Sequence, residues 1–150
     1  MITHHELRKL DKFNLDIKVE TVKALLNMGY GHFSGSLSIT EILSCLYGRY
    51  LKHDPKQPKM KDRDRLVLSK GHAGPALYAT LALNGFFDLE LLKTINANGT
   101  SLPSHADMNL TTGVDMTTGS LGQGISAAVG IACGTQSNVF AILGDGELQE

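Results

Sequence analysis

Hydrophobic positions near the start of the chain recur with a helical period. An apolar stripe runs through Leu10, Phe13, Ile17, Ala24 and Met28, and Leu15, Val19, Val22 and Leu26 widen it. This predicts one long amphipathic helix ending near Met28. Ahead of the stripe, Thr3-His4-His5-Glu6 has the form of a capping box, in which hydroxyl and carboxylate satisfy free amides of the first turn. Ser38-Ile39-Thr40-Glu41 repeats that form. Behind it, Ile39, Ile42, Leu43, Leu46, Tyr47 and Tyr50 fall at the offsets expected of a second helix.

From Lys52 to Arg65 the chain is charged and broken by Pro55 and Pro58, which predicts a surface loop. Leu66-Val67-Leu68 reads as a short buried strand, followed by a helix with Pro75 in its first turn and a stop at Asn84-Gly85. Asp88 is placed to cap a short helix over Leu89 to Ile95. Residues 96–118 lack periodicity, and a loop of that length in a compact domain is usually functional or mobile. Ser120 to Ala132 reads as a helix built from Gly122, Gly124, Ala127, Ala128, Gly130 and Ala132, small enough to let a neighbour approach closely. Val139 to Leu143 reads as a second buried strand, ending in Gly144-Asp145-Gly146. The order helix, helix, strand, helix, helix, strand predicts an α/β fold, a parallel sheet flanked by helices. Two strands leave such a sheet incomplete at the C-terminus.

A length of 150 residues suits one domain with a real core. The formal net charge of −1 argues against nucleic-acid binding. The charge is nonetheless uneven: residues 1–70 hold 13 of the 14 Lys and Arg, which fits a solvated face or a docking surface for an anion. No apolar run approaches the ~20 residues of a membrane span, and the N-terminus lacks the apolar segment of an export signal. Cys45 and Cys133 lie far apart without metal spacing, so two ordinary thiols in a reducing cytoplasm are expected.

Three histidines sit where the chain changes direction: Gly31-His32, Gly71-His72 and Ser104-His105. Loops beyond the carboxyl ends of parallel strands are where α/β proteins bind ligands. The histidines are too far apart for local metal spacing, although a His/Asp site for a metal-dependent hydrolase stays open as an alternative. Gly144-Asp145-Gly146 follows an apolar strand. Its glycines let backbone amides approach an anion, and Asp145 offers a hard oxygen to Mg²⁺. Neither a P-loop nor a dinucleotide fingerprint is present in the sequence.

Taken in order, these segments resemble those of transketolases. Gly31-His32-Phe33-Ser34-Gly35-Ser36-Leu37-Ser38 is similar to the first histidine segment of that family, and Arg63 to His72 is similar to the second. Ser104-His105 stands in the place of the third. Thr117 to Gly124 resembles the segment beside the cofactor thiazolium, and Gly144 to Glu150 resembles the opening of the thiamine diphosphate signature. The wording of the first and last segments is most similar to transketolases split into N- and C-terminal polypeptides.

The resemblance implies a thiamine diphosphate-binding fold and transfer of a two-carbon ketol unit between sugar phosphates, with thiamine diphosphate and Mg²⁺ as cofactors. It places His32 and His105 at the sugar hydroxyls and His72 by the diphosphate. Gly119, Ser120 and Leu121 would lie beside the thiazolium, Asp145 on Mg²⁺, and Gly144 and Gly146 with their backbone at the diphosphate. Glu150 would join a glutamate network across a subunit interface. On this reading residues 1–150 form the N-terminal portion of a diphosphate-binding domain, inactive alone. The rest of that domain, with an Asn ligand for Mg²⁺, and the pyrimidine-binding domain lie elsewhere. The implied partner is a C-terminal transketolase subunit or domain, in a dimer or heterotetramer. A non-catalytic binding or regulatory role is the remaining alternative. Two features depart from the family pattern: a short Cys133 to Asn138 connection and the Thr-rich Leu110-Thr111-Thr112.

Overall fold

A computed structural model of the chain describes residues 2–150. Helix α1 (His4–Met28) begins with the expected capping box: Thr3 Oγ1 accepts from the Glu6 amide at 3.2 Å, and the Thr3 amide donates to Glu6 Oε2 at 2.7 Å. It ends at Gly29 in the left-handed conformation. Its inner face buries Ile17, Thr21, Ala24 and Leu25 against the rest of the fold.

The next segment departs from expectation. The first histidine segment forms a short helix, α2 (Phe33–Leu37), and Ser38 does not cap the helix that follows, α3 (Thr40–Cys45). The Ser38 hydroxyl instead donates to Gly35 O and accepts from Lys70 Nζ at 3.0 Å. Glu41 is drawn to Lys18 and Asn14 of α1. Tertiary partners thus displace the local cap. A π-helical turn over Leu46–Tyr50 completes this element. Only one side of the predicted stripe is core: Ile39, Leu43 and Tyr47 are buried, whereas Ile42 and Tyr50 are exposed.

Strand β1 (Arg65–Leu68) follows the charged loop and pairs in parallel with β2 (Val139–Ile142), Leu66 opposite Phe140. The loop is tied down by Asp64, a buried carboxylate that accepts from the amides of Lys52 and Asn138, both at 2.9 Å. A 3₁₀ turn (Gly71–Ala73) leads into α4 (Gly74–Leu83), whose residues from Gly74 to Ala82 are all buried. A helix apolar all round belongs at the centre of a core, and α4 packs against α1 and α3 there.

The short helix after Asp88 is a 3₁₀ helix (Leu89–Thr94), with Asp88 capping the Glu90 amide as expected. The helix α5 (Gln123–Gly134) starts later than Ser120, because Gly122 takes φ +84 as its N-cap. Close approach is real at Gly124, where a Cβ would stand 2.6 Å from Ser69 Cα, but a Cβ on Gly130 would meet open space. Strand β2 is not the buried strand expected. Only Ile142 is fully buried in it, Ala141 is exposed, and Leu143 lies outside it.

Candidate functional site

The segment after β1, the turn before α5 and the loop after β2 meet at one end of the sheet. They enclose, with α2, a cavity of about 500 Å³. Its lining includes Lys70, His72, Leu121, Gly144, Asp145, Gly146 and Glu150. Five of the residues expected at a site therefore share one cavity with His72. His32 stands beside it, its ring centroid 4.9 Å from that of His72. Gly119 and Ser120 face an adjacent cavity of about 290 Å³ with Thr117, Thr118 and Gln123. His105 packs on that segment: a Cβ on Gly119 would lie 3.1 Å from its ring.

Two side chains at this site were not singled out from sequence. Lys70, 6% exposed, donates to Gly35 O at 2.9 Å and to Ser38 Oγ at 3.0 Å, tying α2 to the end of β1. Burial lowers its pKa, opposed by the charges of Asp145 and Glu147. Glu147, 4% exposed, accepts hydrogen bonds from Ser69, Gly122 and Gly144. Its burial would raise its pKa, yet the bonds from Ser69, Gly144 and Gly122 hold it below the usual carboxylate value. The available signal was position: Lys70 directly precedes Gly71-His72, and Glu147 directly follows Gly146.

The surroundings of His72 favour its neutral form. Burial depresses its pKa, and the nearby His32, Lys70 and His105 add to the effect, opposed by Glu147. A neutral imidazole can both donate and accept. Asp145 differs from Glu147 in being exposed, and among the described residues none donates a hydrogen bond to its carboxylate. It is free to serve a ligand.

The loop fits a phosphorylated group held through a cation. Gly144 has a φ that does not require glycine, and a Cβ there would make only ordinary contacts at 3.6 Å or more; at Gly146 a Cβ would meet nothing. Internal packing therefore does not explain glycine at either position, whereas backbone approach of an anion does. Mg²⁺ takes oxygen ligands from carboxylate and phosphate. By contrast, no three His, Cys, Asp or Glu among the described residues form a group that could hold a metal on their own. The hydrolase alternative thus finds no donor set here.

An α/β layer whose strand ends open onto such a cavity is a protein built to bind a phosphorylated cofactor. The family model for the transketolase thiamine diphosphate-binding domain matches residues 12–147, and the chain belongs to that family. It is 56% identical over 139 residues to the 6-deoxy-6-sulfo-D-fructose transketolase subunit SqwG of Clostridium sp. (strain MSTE9), covering 89% of this chain and 50% of that protein. It is 38% identical over 125 residues to a subunit of the apulose-4-phosphate transketolase of Actinobacillus succinogenes, covering 80% of this chain and 45% of that one. The chain thus spans about half the length of these relatives. The transketolase of Campylobacter jejuni has the same fold, with a TM-score of 0.87 and 33% identity over 99% of this chain and 25% of that one. The parallel sheet flanked by helices is therefore the thiamine diphosphate-binding fold, with two strands among the described residues. Among the described residues no helix is long and apolar enough to cross a membrane.

Proposed function

We propose that the chain carries the diphosphate-binding side of a transketolase active site, which moves a two-carbon ketol unit between sugars with thiamine diphosphate and Mg²⁺. The observation that supports this most is the convergence of His72, Asp145 and the Gly144–Gly146 loop on one cavity beside His32. Residues 1–150 are assigned to the N-terminal portion of the diphosphate-binding domain. The pyrimidine-binding domain comes from a C-terminal transketolase subunit or domain, a reading favoured by the subunit names of the relatives. The assembly is then a dimer or heterotetramer. Two exposed, unpaired thiols, Cys45 and Cys133, fit a reducing cytoplasm.

Thiamine diphosphate, when bound, supplies the electron sink for the transferred carbon unit. The residues of this chain position and polarise around it. Asp145 holds Mg²⁺, with the backbone of Gly144 and Gly146 lining the diphosphate. Gly119, Ser120 and Leu121 form the wall beside the thiazolium. His72, flanked by Lys70, would donate a hydrogen bond toward the diphosphate. His32 and His105 hold the sugar hydroxyls, where imidazole suits proton movement near neutral pH. Glu150, in the cavity lining, would join a glutamate network across the subunit interface.

The relative that is 56% identical acts, by its name, on a sulfonated ketose, so the donor is read as a ketose with an anionic terminus, sulfonate or phosphate. The test mixes this chain with the C-terminal subunit, Mg²⁺ and thiamine diphosphate, and offers 6-deoxy-6-sulfo-D-fructose or fructose 6-phosphate as donor. Ketol transfer to an aldose phosphate is expected from the mixture and not from the chain alone. Failure with both donors, in an assembly that binds the cofactor, would sink the ketol-transfer reading.

A further inference from the structure

Glu147 is the one buried carboxylate at the cavity, and both of its oxygens face protein donors. Oε1 accepts from the Gly122 amide at 3.1 Å and from the Ser69 hydroxyl, and Oε2 accepts from the Gly144 amide at 3.0 Å. Ser69 directly follows β1, Gly122 caps α5, and Gly144 opens the loop after β2. One side chain therefore joins three walls whose residues lie 78, 25 and 3 positions away in sequence. We infer that Glu147 is a positioning residue that fixes the spacing between the Gly119–Gly122 wall and the Gly144–Gly146 loop before any ligand arrives.

Unlike Asp145, Glu147 presents no free carboxylate oxygen to the cavity. Its oxygens are turned inward, which accounts for its presence. Three donors converge on it, and a carboxylate, an acceptor at both oxygens, meets them all. A glutamine has one acceptor oxygen and one donor nitrogen. Placed here, its oxygen keeps Ser69 and Gly122, and its nitrogen is set against the Gly144 amide, donor against donor. The Gly144 amide fixes the loop on one side, while Leu148 N closes on Gly144 O at 3.2 Å on the other. Asp145 lies within that closed loop, so the arm to Gly144 sets where its carboxylate points.

The consequence for cofactor binding rests on the function proposed above; the strap itself does not. Two measurements separate them. Amide hydrogen exchange in the full chain without cofactor reads the strap at Gly122 and Gly144 directly. Titration of Mg²⁺ and thiamine diphosphate into the enzyme assembled with its C-terminal subunit, followed by calorimetry, reads the consequence. Glu147→Gln is expected to speed exchange at Gly144 more than at Gly122 and to weaken cofactor binding on the order of tenfold, as loss of an outer-shell partner does. Ser69→Ala, which removes one donor and keeps the carboxylate, is expected to weaken binding less and to leave Gly144 protected. It carries the test if Glu147→Gln does not fold: faster exchange at Gly144 in Ser69→Ala would then refute the separate arms. Unchanged exchange at Gly144 in Glu147→Gln overturns the inference. Unchanged cofactor affinity alongside faster exchange overturns its positioning role. Absence of cofactor binding by the unsubstituted enzyme would instead refute the proposed function, and exchange would still decide the strap.

Discussion

Tyr78, at the centre of α4, donates its phenol hydrogen toward two carbonyls of the long loop, Pro103 O at 2.8 Å and His105 O at 3.1 Å. The ring is fully buried, so the buried helix α4 holds the backbone of the third histidine segment. Tyr78→Phe keeps the packing and deletes only the hydroxyl. The expected loss is roughly 1–2 kcal/mol, because two carbonyls lose a donor in a part-buried setting. Urea denaturation measures it. In the assembled enzyme the donor KM should rise more than the cofactor Kd, since the displaced residue is His105. An unchanged unfolding midpoint would show that the loop is held by something else.

A second anchor lies at the other end of the loop. Asp115 is 4% exposed in its side chain and takes a two-pronged ion pair from Arg63, together with the Leu66 amide at 2.8 Å. It ties the loop to β1 where that strand begins. Asp115→Ala strands a largely buried guanidinium, and removal of one partner of such a pair costs about 3–5 kcal/mol. Asp115→Asn, which keeps one acceptor oxygen, should lose less. Denaturation of the two variants beside the parent tests the ranking, and equal stability of all three would contradict the anchor.

What could be read from the sequence was what depends on near neighbours. The α1 stripe, the Thr3 cap, the Pro75 start and the Asp88 cap all appear as expected, since each relies on residues within a turn or two. The Ser38 cap did not, because Lys70 and Lys18 reach across from distant elements and take its hydroxyl and Glu41. Apolar composition showed that residues near Val139 form a strand but not whether both of its faces are covered. The fold and the histidines came from motif order, and their meeting depends on α2, which carries no strong helical signal. Glu147 and Asp115 were missed because a carboxylate reveals its partners only when residues tens of positions away are brought to it.

Gly71 tests the close contact between two site walls. A Cβ there would stand 2.6 Å from Thr118 O and 2.9 Å from Gly119 N, both backbone atoms that cannot swing aside. Thr118 is further tied in, its hydroxyl donating to Leu68 O and its amide to Ala106 O. Gly71→Ala is therefore expected to cost about 1–3 kcal/mol through overpacking. It should also part the His72 turn from the Gly119 wall, and so weaken thiamine diphosphate binding. Thermal unfolding and cofactor titration check the two effects. A variant as stable and as tightly binding as the parent would mean that the walls yield freely.

His72 gives the molecule a pH dependence whose sign follows from its surroundings. Burial first, then the neighbours His32, Lys70 and His105, place its folded pKa below the ordinary 6.5. In the unfolded chain the imidazole takes up its proton as pH falls through about 6.5. The folded chain refuses that proton until lower pH. In the interval the unfolded state binds more protons, so stability falls as pH falls, and the effect levels off once the folded imidazole is charged too. His72→Gln removes this contribution while keeping a polar side chain of similar reach. The measurement is the urea midpoint of parent and variant from neutral pH down through 6.5 and below. The parent should lose stability more steeply over that window, and the two curves should run parallel above it. Parallel curves throughout would mean that His72 titrates as it does in water, and that its neighbours do not set its charge.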